Sequence, residues 1–212
     1  MNNNGTPPVL EASVAYLARV QEALKGLPLG AVVELIELLL HARLEQRTVF
    51  IFGNGGSAAT ASHMASDLSK GTITEGLPRL RAFSLTDSVP VFTAWANDRD
   101  YTQVFSEQLR TLARPGDIAI AISGSGNSPN VLAGLNTAKS MEMTTVGLLG
   151  FDGGSAAGLV DLPIVVPADE YGPVEDIHLL LNHLVSTVMN QVSQNDNELL
   201  PVAGAVDELP HV

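Results

Sequence analysis

The sequence predicts an α/β domain: a parallel five-stranded sheet with helices on both faces, a three-layer α/β/α sandwich, preceded by an N-terminal helical hairpin. Three observations predict it. Short apolar runs alternate with helical stretches from Thr48 onward, the pattern of a parallel sheet with crossover helices. The run 117–122, DIAIAI, carries almost no polar side chain, as expected for a parallel strand buried on both faces. Two runs end in Gly/Ser loops, at 53–57 and 123–128, and ligands of such sheets bind outside the strand C-termini at a switch point. The expected organisation is a hairpin over 1–46 acting as a subunit contact or equally as ordinary core helix, the α/β domain over 47–192 and an acidic tail over 193–212.

Composition narrows the function. With 212 residues, 45% of them apolar, the chain can bury a full core. Charged residues make up only 16%, which suggests surface hidden in an oligomer. A net charge of −12 argues against a nucleic-acid footprint or an anionic membrane surface. The absence of cysteine excludes a disulfide framework and a thiolate metal site. The start, MNNNGTPPVLEA, has neither a basic n-region nor an apolar h-region, and no uncharged run reaches membrane-spanning length. The cytoplasm is therefore the expected location.

The elements follow in order. Residues 1–7 are polar and expected to fray. Leu10, Val14, Leu17, Val20 and Leu24 recur at helical spacing within 9–27. Pro28 and Gly30 break that helix. A second, 31–44, is apolar nearly all round and wants burial on several sides. Thr48–Phe52 reads as a strand, Gly53-Asn54-Gly55-Gly56 as a tight turn, and Ser57 as the N-cap candidate of a helix over 58–68. Strands are expected at 80–85, 117–122, 144–149 and 162–166. Helices are expected at 90–96, at 101–113, from Pro129 with Ser128 as cap, and from Pro173 to about Gln191.

The two Gly/Ser loops carry the strongest functional signal. Each joins a strand C-terminus to a helix N-terminus, where free backbone N–H groups and the helix dipole favour an anion. In the second, Ser123, Ser125 and Ser128 alternate with glycines that let a ligand approach the backbone. Neither loop contains Lys or Arg, so a phosphate here would be held by neutral donors. One such loop could be a plain turn with capping serines; two in one sheet favour an anion site. Gly53-x-Gly55-x-x-Ala58 also fits a dinucleotide fingerprint, with Asp87 as a ribose acid. That reading leaves the second loop unexplained, and no nucleotide cofactor is expected.

Acid–base candidates lie on two helices. His63 and Asp67 are four apart and share a face. The last helix carries His178 and His183, which are five apart and point in different directions. A lone helical histidine is commonly structural, but clustering near carboxylates raises the odds of a functional role.

The stretches FGNGGSAATASHMASDL, ISGSGNSPNV and VEDIHLLLNHL resemble the sugar isomerase (SIS) domain family, within it the phosphoheptose isomerases. The likeness runs from about Leu10 to Gln191. It implies a flavodoxin-like SIS fold and a homotetramer whose N-terminal helices build a central bundle. The implied reaction interconverts sedoheptulose 7-phosphate and glycero-manno-heptose 7-phosphate. By the same resemblance, Ser123, Gly124, Ser125 and Ser128 hold the phosphate with help from Ser57, Asn54 and Asp98 line the sugar, and Gly55 and Glu175 complete the substrate- and phosphate-binding set. A catalytic glutamate falls on Asp67, assigned as base, and a catalytic histidine on His183, assigned as acid. Some members bind zinc through positions matching His63, Asp67, Glu175 and His183.

The chain departs from the family pattern in three places. Asp67 is one methylene shorter than the glutamate, Glu175 replaces a glutamine, and Gly172-Pro173 replace a polar stretch that contacts substrate. These leave room for another seven- or eight-carbon sugar phosphate, or for a non-catalytic SIS module that binds a protein partner. Glu175 and His183 are also about 12 Å apart along a helix. They reach one ion only through an irregular first turn or from different subunits.

Overall fold

In the computed structural model, which describes residues 7–195, β1 (Thr48–Gly53), β2 (Arg81–Ser84), β3 (Ile118–Ser123), β4 (Thr144–Leu149) and β5 (Leu162–Val165) form one parallel sheet. Its order is β2-β1-β3-β4-β5. The described helices are α1 (Pro8–Lys25), α2 (Leu29–Leu44), α3 (Gly56–Ser66), α4 (Val89–Asp98), α5 (Ser106–Leu112), α6 (Pro129–Ser140), α7 (Gly154–Ala157) and α8 (Tyr171–Asn195). The expected sandwich and its five strands are present. The start over 1–6 and the tail over 196–212 lie outside the described residues, while residues 193–195 prolong α8.

Alternation along the central strands sorts the core into two layers. Val49 and Ile51 of β1, with Ile118, Ile120 and Ile122 of β3, face α2, α3 and α8. Phe50 and Phe52, with Ala119 and Ala121, face α5 and α6. The small alanines make room for the Phe52 and Phe105 rings, whose centroids lie 4.9 Å apart. Asp117 secures the entrances of β1 and β3: its carboxylate accepts from Thr48 N at 2.8 Å and from Arg114 N at 2.9 Å while only 5% exposed.

Several local expectations are corrected. Ser57 is not the cap of α3; Gly55 occupies that position, and Ser57 is buried within the first turn. Gly30 lies inside α2, and α4 continues through Asn97 and Asp98. The helix expected over 101–113 is broken. Asp100 caps a 3-10 turn over Tyr101–Gln103 through Thr102 N at 2.7 Å, and Val104 and Phe105 then plug into the core before α5 begins. Ser128 stands at the N-cap of α6 without a side-chain capping bond. The short α7 and a π-helical turn over Asp67–Gly71 were not expected.

That wide turn has local causes. Ser69 and Thr72 hydroxyls donate to Ala65 O and Leu68 O, each at 2.6 Å, and Asn190 Nδ2 donates to Gly71 O at 2.6 Å. Buried Arg43 donates to Thr72 O at 3.2 Å and to Ser193 Oγ at 2.8 Å, tying α2, the turn and α8 together. Such turns are frequent at functional sites, and this one begins at Asp67.

His178, 1% exposed, faces Leu149 O at 3.2 Å through Nε2. Burial pushes its imidazole down from 6.5 to about 4, against the opposing effect of the Leu149 carbonyl. In that interval the unfolded chain takes up the proton and the folded chain does not. His178 thus supports the fold fully above pH 6.5, and this support fades as pH falls to about 4. The stability difference between wild type and His178→Gln is expected to shrink by roughly 3 kcal/mol across that window in urea titrations. A pH-independent difference would refute the assignment. Asp117→Ala, which strands two backbone N–H groups, is expected to lower unfolding free energy by about 1–3 kcal/mol, measured by chemical denaturation at neutral pH.

Candidate active site

Parallel pairing puts the two Gly/Ser loops side by side. Gly53 lies opposite Ile122 at the ends of β1 and β3. The loops are then bolted together by a reciprocal amide pair. Asn54 Nδ2 donates to Asn130 Oδ1 at 2.9 Å, and Asn130 Nδ2 donates to Asn54 Oδ1 at 2.8 Å. Tyr101 adds a third bond, its hydroxyl donating to Asn54 Oδ1 at 3.0 Å.

A cavity of about 120 Å³ opens between the loops, lined by Asn54, Ser57, Ser123, Gly124, Ser125, Ser128, Tyr171 and Glu175. Ser123 Oγ accepts from Gly126 N at 3.1 Å, and Ser125 Oγ accepts from Asn127 N at 3.3 Å. The loop backbone thus occupies a lone pair of each hydroxyl and leaves its hydrogen to donate into the cavity. Gly126 makes the tight loop possible: its φ is +63°, and a side chain there would strike the Gly153 carbonyl. The N-termini of α3 and α6 both open at this cleft. Lys and Arg are absent from its lining.

Glu175 brings the one carboxylate among these lining residues. It packs over Gly56 so closely that a Cβ there would collide with it. A negative group is favoured beside the first turn of α3. The packing of α8 on α3 brings it there.

A second cluster sits where the C-terminal end of α3 meets the middle of α8. His63 Nε2 lies 3.4 Å from Asp67 Oδ2, as their shared face predicts. The His63 and His183 rings meet edge to face with centroids 5.0 Å apart. One donor atom from each of His63, Asp67 and His183 falls within 4.8 Å of the others. Two imidazoles and a carboxylate are a donor set that suits zinc with an open coordination position. Both histidines are exposed, and Asp67 is half-buried. Asn182 Nδ2 donates to Asp67 Oδ2 at 2.9 Å.

Within one chain the expected four-ligand set separates into three plus one. The first turn of α8 is regular helix, and about 12 Å of rise keeps Glu175 at the cleft and His183 at the cluster. Asp98 stands apart from both: it is exposed at the end of α4, accepting from Asn97 Nδ2 at 2.8 Å. Gly55 caps α3 at the cleft mouth. Asp87, the ribose-acid candidate, accepts from Ser62 Oγ at 2.5 Å instead. Asn130, Tyr101, Tyr171 and Asn182 were missed by sequence reasoning. The run Asn127-Ser128-Pro129-Asn130 offered a hint of the first; the other three depend on tertiary packing.

The family profile described as SIS domain matches residues 12–150. The phosphoheptose isomerase of Aromatoleum aromaticum is 40% identical over 170 residues, covering 78% of this chain and 85% of its own length. That of Helicobacter pylori is 37% identical over 172 residues, covering 81% and 88%. Among solved structures, phosphoheptose isomerase GmhA from Neisseria gonorrhoeae has a TM-score of 0.78 at 32% identity, covering 86% of this chain and 99% of that one. A phosphoheptose isomerase from Francisella tularensis has a TM-score of 0.80 at 26% identity, covering 88% and 100%. Sequence and fold agree over nearly the whole length of these relatives, and the chain belongs to the phosphoheptose isomerase branch of the SIS domain family.

Proposed function

We propose that this sugar-phosphate isomerase interconverts sedoheptulose 7-phosphate and glycero-manno-heptose 7-phosphate through an enediol. The observation that carries the proposal is the shared track of α3 and α8. Glu175 meets Gly56 near the start of both helices, and Asn182 meets Asp67 farther along both. The proposed phosphate cradle is thus at the start of the track, and the proposed acid–base cluster is farther along it.

Each part of the chemistry has its group. The phosphate sits on the Ser123, Ser125 and Ser128 hydroxyls and the backbone of the loop with Gly124, helped by Ser57 and the α6 N-terminus. Glu175 disfavours an anion over α3 and so directs the phosphate toward the serine loop. Asn54 and Gly55 serve the sugar chain, and Asp98, which stands apart from both sites within one chain, would reach it only from a neighbouring copy. With the phosphate anchored, the open-chain sugar presents its carbonyl end to the cluster. Asp67 takes the proton from the carbon next to the carbonyl. The C–H electron pair becomes the enediol double bond, and His183 protonates the carbonyl oxygen. His183 then recovers a proton from the neighbouring hydroxyl, and Asp67 returns its proton to the former carbonyl carbon. The net change is aldose to ketose or the reverse.

His63, Asp67 and His183 would hold Zn2+, with Glu175 of a neighbouring copy as the fourth ligand; bound there, the ion would polarise the substrate carbonyl. A homotetramer is the proposed assembly. Val9, Leu10, Val14 and Leu17 of α1 are 78%, 53%, 58% and 66% exposed, an apolar stripe that other copies would cover. No described helix is long and apolar enough to cross a membrane, which is compatible with the proposed cytoplasmic location.

The test is an isomerase assay on a panel of seven- and eight-carbon phosphates, with and without chelator. Wild type is expected to turn over sedoheptulose 7-phosphate. His183→Ala and Asp67→Asn should each lose about 10²–10⁴-fold in kcat with little change in KM. Turnover confined to an eight-carbon phosphate would overturn the named substrate. Turnover of none would favour a binding module over an enzyme.

A further inference from the structure

Asn182 and His178 lie one turn apart on the buried face of α8, 0% and 1% exposed. Asn182 donates Nδ2–H to Asp67 Oδ2 at 2.9 Å. That bond fixes which way the amide points, because a carboxylate oxygen accepts and the nitrogen must face it. The amide oxygen then turns inward, where Oδ1 has no hydrogen-bond partner among the described residues. His178 repeats the situation. Leu149 O can only accept, so Nε2 carries the hydrogen across their 3.2 Å contact. Nδ1 is left as a lone pair, and it too has no partner among the described residues.

Two buried acceptors on one helix face, with Cβ atoms about 5–6 Å apart, call for a group that donates two hydrogens. Water is such a group, and buried waters characteristically bridge polar atoms of this kind. We propose that Asn182 is the positioning residue for Asp67, backed by one buried water that donates to Asn182 Oδ1 and His178 Nδ1. The resulting line runs from Leu149 O through His178, the water and Asn182 to Asp67. Gly150, next to Leu149, donates its N–H to Gly124 O at 3.0 Å. The rear of the phosphate loop and the proposed base are thereby fastened to one chain of hydrogen bonds, which fixes their separation. Only the kinetic consequence rests on the isomerase reading; the positioning itself does not.

Asn182→Leu keeps the branching at Cγ, is the bulkier side chain, and removes both the donor to Asp67 and the buried acceptor. If Asn182 positions Asp67, the variant should lose about 10–100-fold in kcat and keep its KM. Its crystal structure should show the Asp67 carboxylate turned away from His63, and the wild-type crystal structure should show the bridging water. If Asn182→Leu does not fold, Asn182→Ala removes the donor without added bulk or charge and carries the same kinetic and crystallographic expectations. An unchanged kcat, or an Asp67 that stays in place without its donor, would overturn the positioning role. A wild-type structure with no ordered water between the two atoms would overturn the bridge. If wild type turns over no sugar phosphate, the isomerase reading fails alone, and Asp67 orientation in the two crystal structures still decides this proposal.

Discussion

Everything at the proposed active site depends on β1 lying beside β3. The order β2-β1-β3-β4-β5 makes these neighbours the point where the chain reverses its direction of growth across the sheet. Their register sets Gly53 against Ile122, so both loops leave the sheet at one level. The helices that follow go to opposite faces: α3 packs with the layer containing Val49 and Ile51, and α6 with the layer containing Phe52 and Phe105. A cleft between diverging helix N-termini is the geometric result. The Asn54–Asn130 pair then stops the loops from moving apart.

The cleft lining offers neutral donors, with neither lysine nor arginine. A lysine or arginine in the cleft would hold a phosphate strongly in substrate and product alike, and uniform binding of that kind does not accelerate the reaction. Hydroxyls, backbone and helix ends instead fix direction. Glu175 sharpens this by occupying the approach to α3. The track formed by α3 and α8 carries that direction to His63, Asp67 and His183, where proton transfer is proposed. The π-helical turn at Asp67 belongs to the same device, because Arg43, Thr72 and Asn190 hold it open from behind.

Much of this was legible in the sequence because it follows from local rules. Five apolar runs gave the strands, glycine and serine clusters gave the two loops at the ends of β1 and β3, and the spacing of four gave the His63–Asp67 contact. The divergence of His178 and His183 also followed from helical spacing: one is buried against Leu149 and the other faces out. What the sequence hid was set by tertiary contact. Tyr101–Ala113 has helical periodicity, but the demand to bury Val104 and Phe105 breaks it. Tyr171 joins the cleft lining only because the start of α8 packs across the loops. Asn182 sits within an apolar run, LLLNHL, and only its packing against Asp67 gives it meaning.

The central claim is that the serine loop grips a phosphate while Asp67 and His183 face the carbonyl end of the same sugar. A crystal structure of His183→Ala soaked with sedoheptulose 7-phosphate tests it most directly. The account predicts phosphate oxygens on Ser123, Ser125 and Ser128, with the carbonyl end within hydrogen-bond reach of an Asp67 carboxylate in the same or a neighbouring copy. A phosphate seated elsewhere, or a sugar chain directed away from every Asp67, would contradict it.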